Sequence, residues 1–442
     1  MWFELGVVLA AILFGARLGG IGLGAAGGIG LAILVFGFGL PPGSPPAAVL
    51  GMIVAVITAL AAMQSAGGLD YLVVVAARLM EKHPQRITVI APFITFGLVM
   101  ASGTQHVMYA LMPVIVDVSI KGDVRPERPL SMSVIASQCG LIASPISAAT
   151  VAMAGYLAGF GISLVTTLGV TLVASIIGTL AGILSVSWRG GTLLADPVYQ
   201  ERVRNGAIGP AAALAAPTGE ALRNARGSLA VFLLAIMAVV AIGLFPDLRP
   251  TYAIPSGETF EYGQIETSRA IMIVMLAAAG VMMVFFKAKA DDAVRSSIMR
   301  GGIVAVISIL GVSWMGSSFF EGNRTEIIQG IADLITAYPL ILALGMFVLS
   351  ILLISQAATV VTLVPVVIAL GFSGADLLGI YPAVNGCFFL PTYGTILAAV
   401  SFDSTGTTKI GRYLVNHSFM VPGLVTVAVS TLAAVFLARF IT

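Results

Sequence analysis

Apolar runs of membrane-spanning length recur along the chain, and the polar residues that interrupt them are the informative positions. The first three runs occupy residues 3–16, 19–40 and 47–66, close to the length that crosses a hydrocarbon core. The second carries Gly20, Gly24 and Gly28 at four-residue spacing, a small-residue face that predicts a close helix crossing, either to a second copy or within the subunit. LDYLVVVAARLMEKHPQR follows, ending in Arg78, Lys82 and Arg86 with Pro84 as a stop, which predicts an interfacial helix. Residues 87–118 are too long for one span, are broken by Ser102-Gly103-Thr104-Gln105-His106, and lie between two basic loops. That pattern predicts a re-entrant hairpin with its polar tip inside the membrane. Residues 130–159 are broken at Gln138-Cys139-Gly140 and Ser144-Pro145-Ile146-Ser147, and a proline that removes a backbone donor there predicts a discontinuous helix. Residues 161–186 form the closing span of this half.

A polar connection, 188–227, divides the chain near its middle, and the plan then repeats. Spans are expected at 228–246, 269–286 and 301–319, followed by TEIIQGIADLITAY, whose Ile327, Ile328, Ile331 and Ile335 share one helical face. A second hairpin, 339–371, is broken at Ser355-Gln356, and a second discontinuous helix, 377–402, at Asn385-Gly386 and Pro391-Thr392. SGTQHVMYALMPVI from Ser102 aligns with SQAATVVTLVPVVI from Ser355. The acids Asp247, Glu258, Glu261 and Glu266 suit an outside loop, while Lys287, Lys289, Arg295 and Arg300 suit an inside one. The expected fold is an all-α polytopic membrane protein with repeats at 1–187 and 228–442 and a cytoplasmic linker at 188–227. The repeats have inverted topology, with two re-entrant hairpins and two discontinuous helices, the architecture of secondary transporters with a site at the midplane.

Composition removes the other classes. Of 442 residues, 58% are hydrophobic and only 10% charged, with mean hydropathy +1.05, against about 25% charged in soluble domains, so the lipid bilayer is the first partner. A net charge of +2 argues against nucleic acid. Cys139 and Cys387 have no CxxC or Cys/His spacing, so neither a disulfide framework nor a metal site is expected, and no cofactor. Glu4 stands at the head of the first run and no Lys or Arg occurs before Arg17, which reads as an uncleaved first span. No GxxxxGK[ST] or HExxH is present, so neither an ATP motor nor that protease motif is encoded. Gly371-Phe372-Ser373-Gly374 with His417 superficially matches the Ser/His pair of an intramembrane protease, which leaves the repeat unexplained; an anion channel is the stronger rival, separated from a carrier by whether uptake saturates and is accelerated by substrate on the opposite side.

The runs GLIASPISAATVAMAG, GTQHVMYALMPVIVDV, DVRPERP and LPTYGTILAAVSFDSTGTTKIGRYLVNHSFMVPGL resemble the anaerobic C4-dicarboxylate transporter (Dcu) family over nearly the whole chain. The resemblance implies exchange of fumarate, succinate, malate or aspartate across a bacterial inner membrane, an elevator transporter with paired hairpins, and a homodimer. A symporter or uptake carrier coupled to Na+ or H+ is the alternative, and an enzyme is not implied. Where the family's carboxy-terminal motif often has His after Gly-Thr-Thr, this chain has Lys409, which weakens a proton-linked role at that position.

A dicarboxylate dianion at midplane needs donors to replace its hydration. The candidates are Gly103, Thr104, Gln105 and His106 at the first hairpin tip; Ser144 and Ser147 in the first broken helix; Ser355 and Gln356 at the second tip; and Asn385 and Thr392 in the second broken helix. For each hydroxyl or amide, the alternative role is repair of a backbone hydrogen bond freed by the break. Asp403 and Arg412, flanking Ser404-Thr405-Gly406-Thr407-Thr408, are candidates near the cytoplasmic end, with a capping acid and a positive-inside anchor as the alternative.

Overall fold

The computed structural model describes residues 2–441 other than 19–20, 46, 106, 189, 207–216, 257–258, 338, 354, 370, 391–392 and 412–415. The first apolar runs form α1 (Trp2–Leu18), α2 (Gly22–Ala32, continued by a π turn over Ile33–Gly37) and α3 (Ala47–Ser65). Gly67, at φ +81°, ends α3, a backbone that only glycine adopts freely. The amphipathic α4 (Gly68–Glu81) then leaves at 71°. α5 (Ile87–Ser102) and α6 (Val107–Lys121) are short helices joined through Gly103 to Gln105, and α7 (Glu127–Ile142) and α8 (Ala148–Ala158) are separated by Ala143 to Ser147. α9 (Leu164–Ser187) closes the first half, and α10 (Pro197–Arg204) lies in the linker under an Asp196 cap.

The second half opens with α11 (Gly219–Leu244), the strands β1 (Thr251–Ser256) and β2 (Thr259–Gln264), then α12 (Thr267–Phe285) and α13 (Ala290–Arg295). The acidic connection expected as a loop thus folds as an antiparallel hairpin, with Thr251 opposite Gln264 and Ser256 opposite Thr259. This sheet is the departure from an all-α chain among the described residues. α14 (Ser297–Ala337) runs through 41 residues, about 60 Å, and absorbs the segment expected as a separate interfacial helix. No left-handed glycine interrupts it as Gly67 interrupts the first half, and Asn323 Nδ2 donates to Phe319 O at 3.0 Å within the helix. α15 (Pro339–Leu353), α16 (Gln356–Ala369), α17 (Gly374–Ile380), α18 (Gly394–Phe402) and α19 (Met420–Ala438) complete the chain. Among the described residues six helices are long and apolar enough to cross a membrane, or seven counting the bent α3–α4 pair as one span.

Small residues set the closest crossings. A Cβ on Gly24 would lie 2.1 Å from the Ile307 carbonyl oxygen, and one on Gly311 2.0 Å from that of Gly24, so α2 and α14 touch backbone to backbone. The small-residue face of α2 is therefore used inside the subunit; Gly28 meets open space and Gly20 lies outside the described residues. The closing helices α9 and α19 meet in the same way, where Gly178 and Gly182 face Thr426 and Ser430. Around these crossings, buried Val56, Ile146, Met275 and Val361 belong to one apolar core and Met80, Leu111, Ile135 and Phe388 to another.

Candidate functional site

Three polar interruptions converge on one chamber of about 360 Å³, within the range of small-molecule sites, about 300–1,000 Å³. Gly103 to Gln105 line it from the α5–α6 turn, Ser355 to Ala357 from the start of α16, and Tyr393 to Thr395 from the start of α18. Ile53, Val56, Ile57 and Leu60 of α3 add an apolar wall.

The first tip exists because α5 ends at a left-handed glycine. Gly103 has φ +62° and donates to Val99 O at 2.8 Å, and a Cβ there would lie 2.8 Å from Ile146 Cγ1, so both backbone and space demand glycine. Gln105, 8% exposed, then ties the turn to its neighbours. Its Nε2 donates to Ser137 Oγ on α7 at 3.4 Å, and its Oε1 accepts from the Tyr393 hydroxyl. The second tip starts α16 under Ser355, whose Oγ accepts from Ala358 N at 3.2 Å. Gln356 Nε2 donates to the Gln138 carbonyl at 3.1 Å and to Asn385 Oδ1. One amide thereby joins the second hairpin to both broken helices.

Other candidates from the sequence have different surroundings. Ser144 Oγ accepts from Ile146 N at 3.4 Å, and Ser147 caps α8 through Thr150 N at 3.2 Å. Both repair the break and neither is among the chamber-lining residues. Asn385, 1% exposed, stands behind Gln356, and its Nδ2 faces Cys139 Sγ at 3.8 Å. His106, Thr392 and Arg412 lie outside the described residues. Asp403 is buried in its own turn, accepting from Thr408 N at 2.6 Å, Thr405 N at 2.9 Å and Thr407 Oγ1 at 3.0 Å. Thr407 Oγ1 in turn accepts from Glu127 N at 3.1 Å, and Arg125 bridges Glu127 and Asp196 at 3.2 and 2.6 Å. The turn thus fastens the end of α18 to the start of α7 and to the linker, and Asp403 does not line the chamber. Ser373 caps α17 and hydrogen-bonds Asp376 Oδ2 at 2.6 Å, while His417 Nε2 meets Phe389 O at 3.1 Å, so no Ser–His pair forms. Among the described residues no group of His, Cys, Asp and Glu could hold a metal ion.

Tyr109, Tyr393 and Thr395 are chamber residues that the sequence reading passed over. The signal for Tyr393 and Thr395 was the run PTYGT, where a glycine restarts a helix shortly after a proline break, while Tyr109 lies on α6 beyond the first turn. No charged side chain lines the chamber among the described residues. What the lining offers an anion is hydroxyls, amides, phenols and helix ends.

A family profile described as "Anaerobic c4-dicarboxylate membrane transporter" matches residues 1–442. The C4-dicarboxylate transporter DcuA of Wolinella succinogenes is 38% identical over 431 residues, covering 97% of this chain and 96% of its own. DcuA of Escherichia coli K12 is 38% identical over 438 residues, covering 99% of each. Among solved structures, the YdaH transporter of Alcanivorax borkumensis superposes with TM-score 0.61 at 15% identity, covering 100% of this chain and 97% of that one. MtrF of Neisseria gonorrhoeae gives 0.54 at 12%, covering 88% and 80%. These two likenesses are of fold.

Proposed function

Because the chain belongs to the anaerobic C4-dicarboxylate membrane transporter family, whose members are transporters and not enzymes, we propose that its chamber carries a four-carbon dicarboxylate across the bacterial inner membrane by exchange. The observation that carries this reading is the convergence of the two helix-pair turns, Gly103–Gln105 and Ser355–Gln356, on one uncharged chamber. Backbone breaks at membrane depth are tolerated where they line protein or a cavity. Uncharged donors suit a carrier, since they replace hydration well enough to bind and not so well as to prevent release.

The order of elements supports a repeat, and the basic and acidic loops are what favour its inverted topology. The helix pair α5–α6, the broken run α7–α8 and the closing α9 recur as α15–α16, α17–α18 and α19. In this reading the chamber opens alternately to the two sides as the hairpins and broken helices move against α3 and α14, in the manner of an elevator. Fumarate, succinate, malate and aspartate are the substrates, and the protein works as a homodimer. Cation-coupled symport with Na+ or H+ is the competing mode.

Proteoliposomes separate the two modes. Labelled succinate uptake is expected to saturate and to be several-fold faster into vesicles preloaded with succinate than into empty ones. Equal rates in the two, with acceleration by an inward Na+ or H+ gradient, would replace exchange by symport.

A further inference from the structure

The helix starts around the chamber are not capped alike. Ser355 caps α16 and Ser147 caps α8, each with its hydroxyl on a backbone N–H at 3.2 Å. Tyr393 precedes the nine-residue α18 and supplies no side-chain cap, since a phenol is too long to reach back to the first N–H groups; its hydroxyl donates to Gln105 Oε1. Ile396 N and Leu397 N both reach the Tyr393 carbonyl, at 3.0 and 3.2 Å. The N–H groups of Gly394 and Thr395, the first two of the helix, have no carbonyl to reach within it. Both residues line the chamber.

Thr395 supplies an independent observation. It is 2% exposed, and its hydroxyl oxygen has no hydrogen-bond partner. Thr171 and Thr359 donate back along their helices, to Thr167 O at 2.8 Å and Ser355 O at 2.7 Å, whereas Thr95, Thr179, Thr362, Thr408, Thr426 and Thr431 share with Thr395 a buried hydroxyl without a partner; of these seven, Thr395 is the one among the chamber-lining residues. At the second position of α18 there is no preceding helical turn to accept. A buried donor without a partner is unfavourable, and an anion in the chamber removes that cost.

We infer that the amino terminus of α18 is the subsite for one substrate carboxylate. The carboxylate accepts from the N–H groups of Gly394 and Thr395 and from the Thr395 hydroxyl. The positive end of the helix dipole supplies the charge that the lining side chains lack. A Cβ at Gly394 would lie 2.6 Å from the Tyr109 hydroxyl, so a side chain at this position would crowd the approach. The inference rests on the chamber being the transport site and adds what holds one end of the substrate.

Thr395→Val keeps the bulk and removes the hydroxyl. In succinate-exchanging proteoliposomes its KM is expected to rise about tenfold or more, the size of one hydrogen bond to a charged group, with less change in maximal rate. Wild-type protein is expected to favour succinate over its mono-amide, succinamate, as a competitor; the preference shrinks in Thr395→Val and returns in Thr395→Ser. A hydroxyl needed only for packing would alter stability and maximal rate and leave that preference intact, which overturns the inference. Should Thr395→Val fail to fold, Thr395→Cys with Cys139 and Cys387 replaced gives a second reading. Succinate is expected to slow thiol labelling of the introduced side chain more than succinamate does, and equal labelling with and without succinate overturns the subsite. Absence of succinate exchange by the wild-type protein would instead refute the transport reading itself.

Discussion

Gln356→Ala is expected to lower succinate exchange by about 100-fold while the protein still folds. Two effects combine. The substitution takes an amide out of the chamber lining. It also leaves the Gln138 carbonyl and Asn385 Oδ1 without the donor that Gln356 Nε2 provides. Gln356 and Asn385 are 5% and 1% exposed, so solvent replaces the lost bonds poorly. An unpaired buried polar group costs about 1–3 kcal/mol, and about 3 kcal/mol in the transport cycle corresponds to about 100-fold in rate. The tip of the second hairpin loses its bracket to both broken helices, so geometry and binding fail together. Exchange rates per reconstituted protein, compared with Gln356→Asn, provide the check. The shorter amide is expected to recover part of the loss if the bracket matters.

The second large effect falls on stability. Asp403→Ala is expected to cost about 4 kcal/mol, since hydrogen bonds to a buried charged group contribute about 1.5–3 kcal/mol each and this carboxylate accepts from Thr408 N, Thr405 N and Thr407 Oγ1. Losing it frees donors in a turn whose Thr407 also receives Glu127 N, so the junction of α18 with α7 loosens. Thermal unfolding in detergent is expected to show a clearly lowered midpoint, with the succinate KM of the surviving protein unchanged. An unchanged midpoint with a raised KM would put Asp403 on the substrate and contradict its placement.

These two positions illustrate what the amino-acid pattern reveals. The turns at Gly103 and Ser355 are legible because glycine, serine and glutamine interrupt otherwise apolar runs, and membrane energetics allow such interruptions only for cause. The pattern does not say which member of a polar break faces the cavity. Ser144 and Ser147 satisfy backbone groups, and Asn385 braces Gln356, because each freed backbone group competes for the same hydroxyls and amides. Thr395 escaped notice for the opposite reason: a single threonine at the head of an apolar helix resembles an ordinary buried residue until the lack of a preceding turn is seen. Asp403 stood out by its charge, yet a charge buried in a hydroxyl-rich turn is what its local donors call for. The long α14 and the β1–β2 hairpin arise from tertiary and loop geometry that hydrophobic periodicity does not record.

If the two hairpin tips share one chamber, a single bound substrate protects both. In protein with Cys139 and Cys387 replaced, which are both buried, single cysteines are introduced as Thr104→Cys and Ser355→Cys and their reaction with a membrane-impermeant thiol reagent is followed with and without succinate. Succinate is expected to slow labelling at both positions over the same concentration range, because one molecule in one chamber covers both turns. Labelling that succinate leaves unchanged at both positions, or protection at the two turns over clearly different concentrations, would contradict a shared chamber.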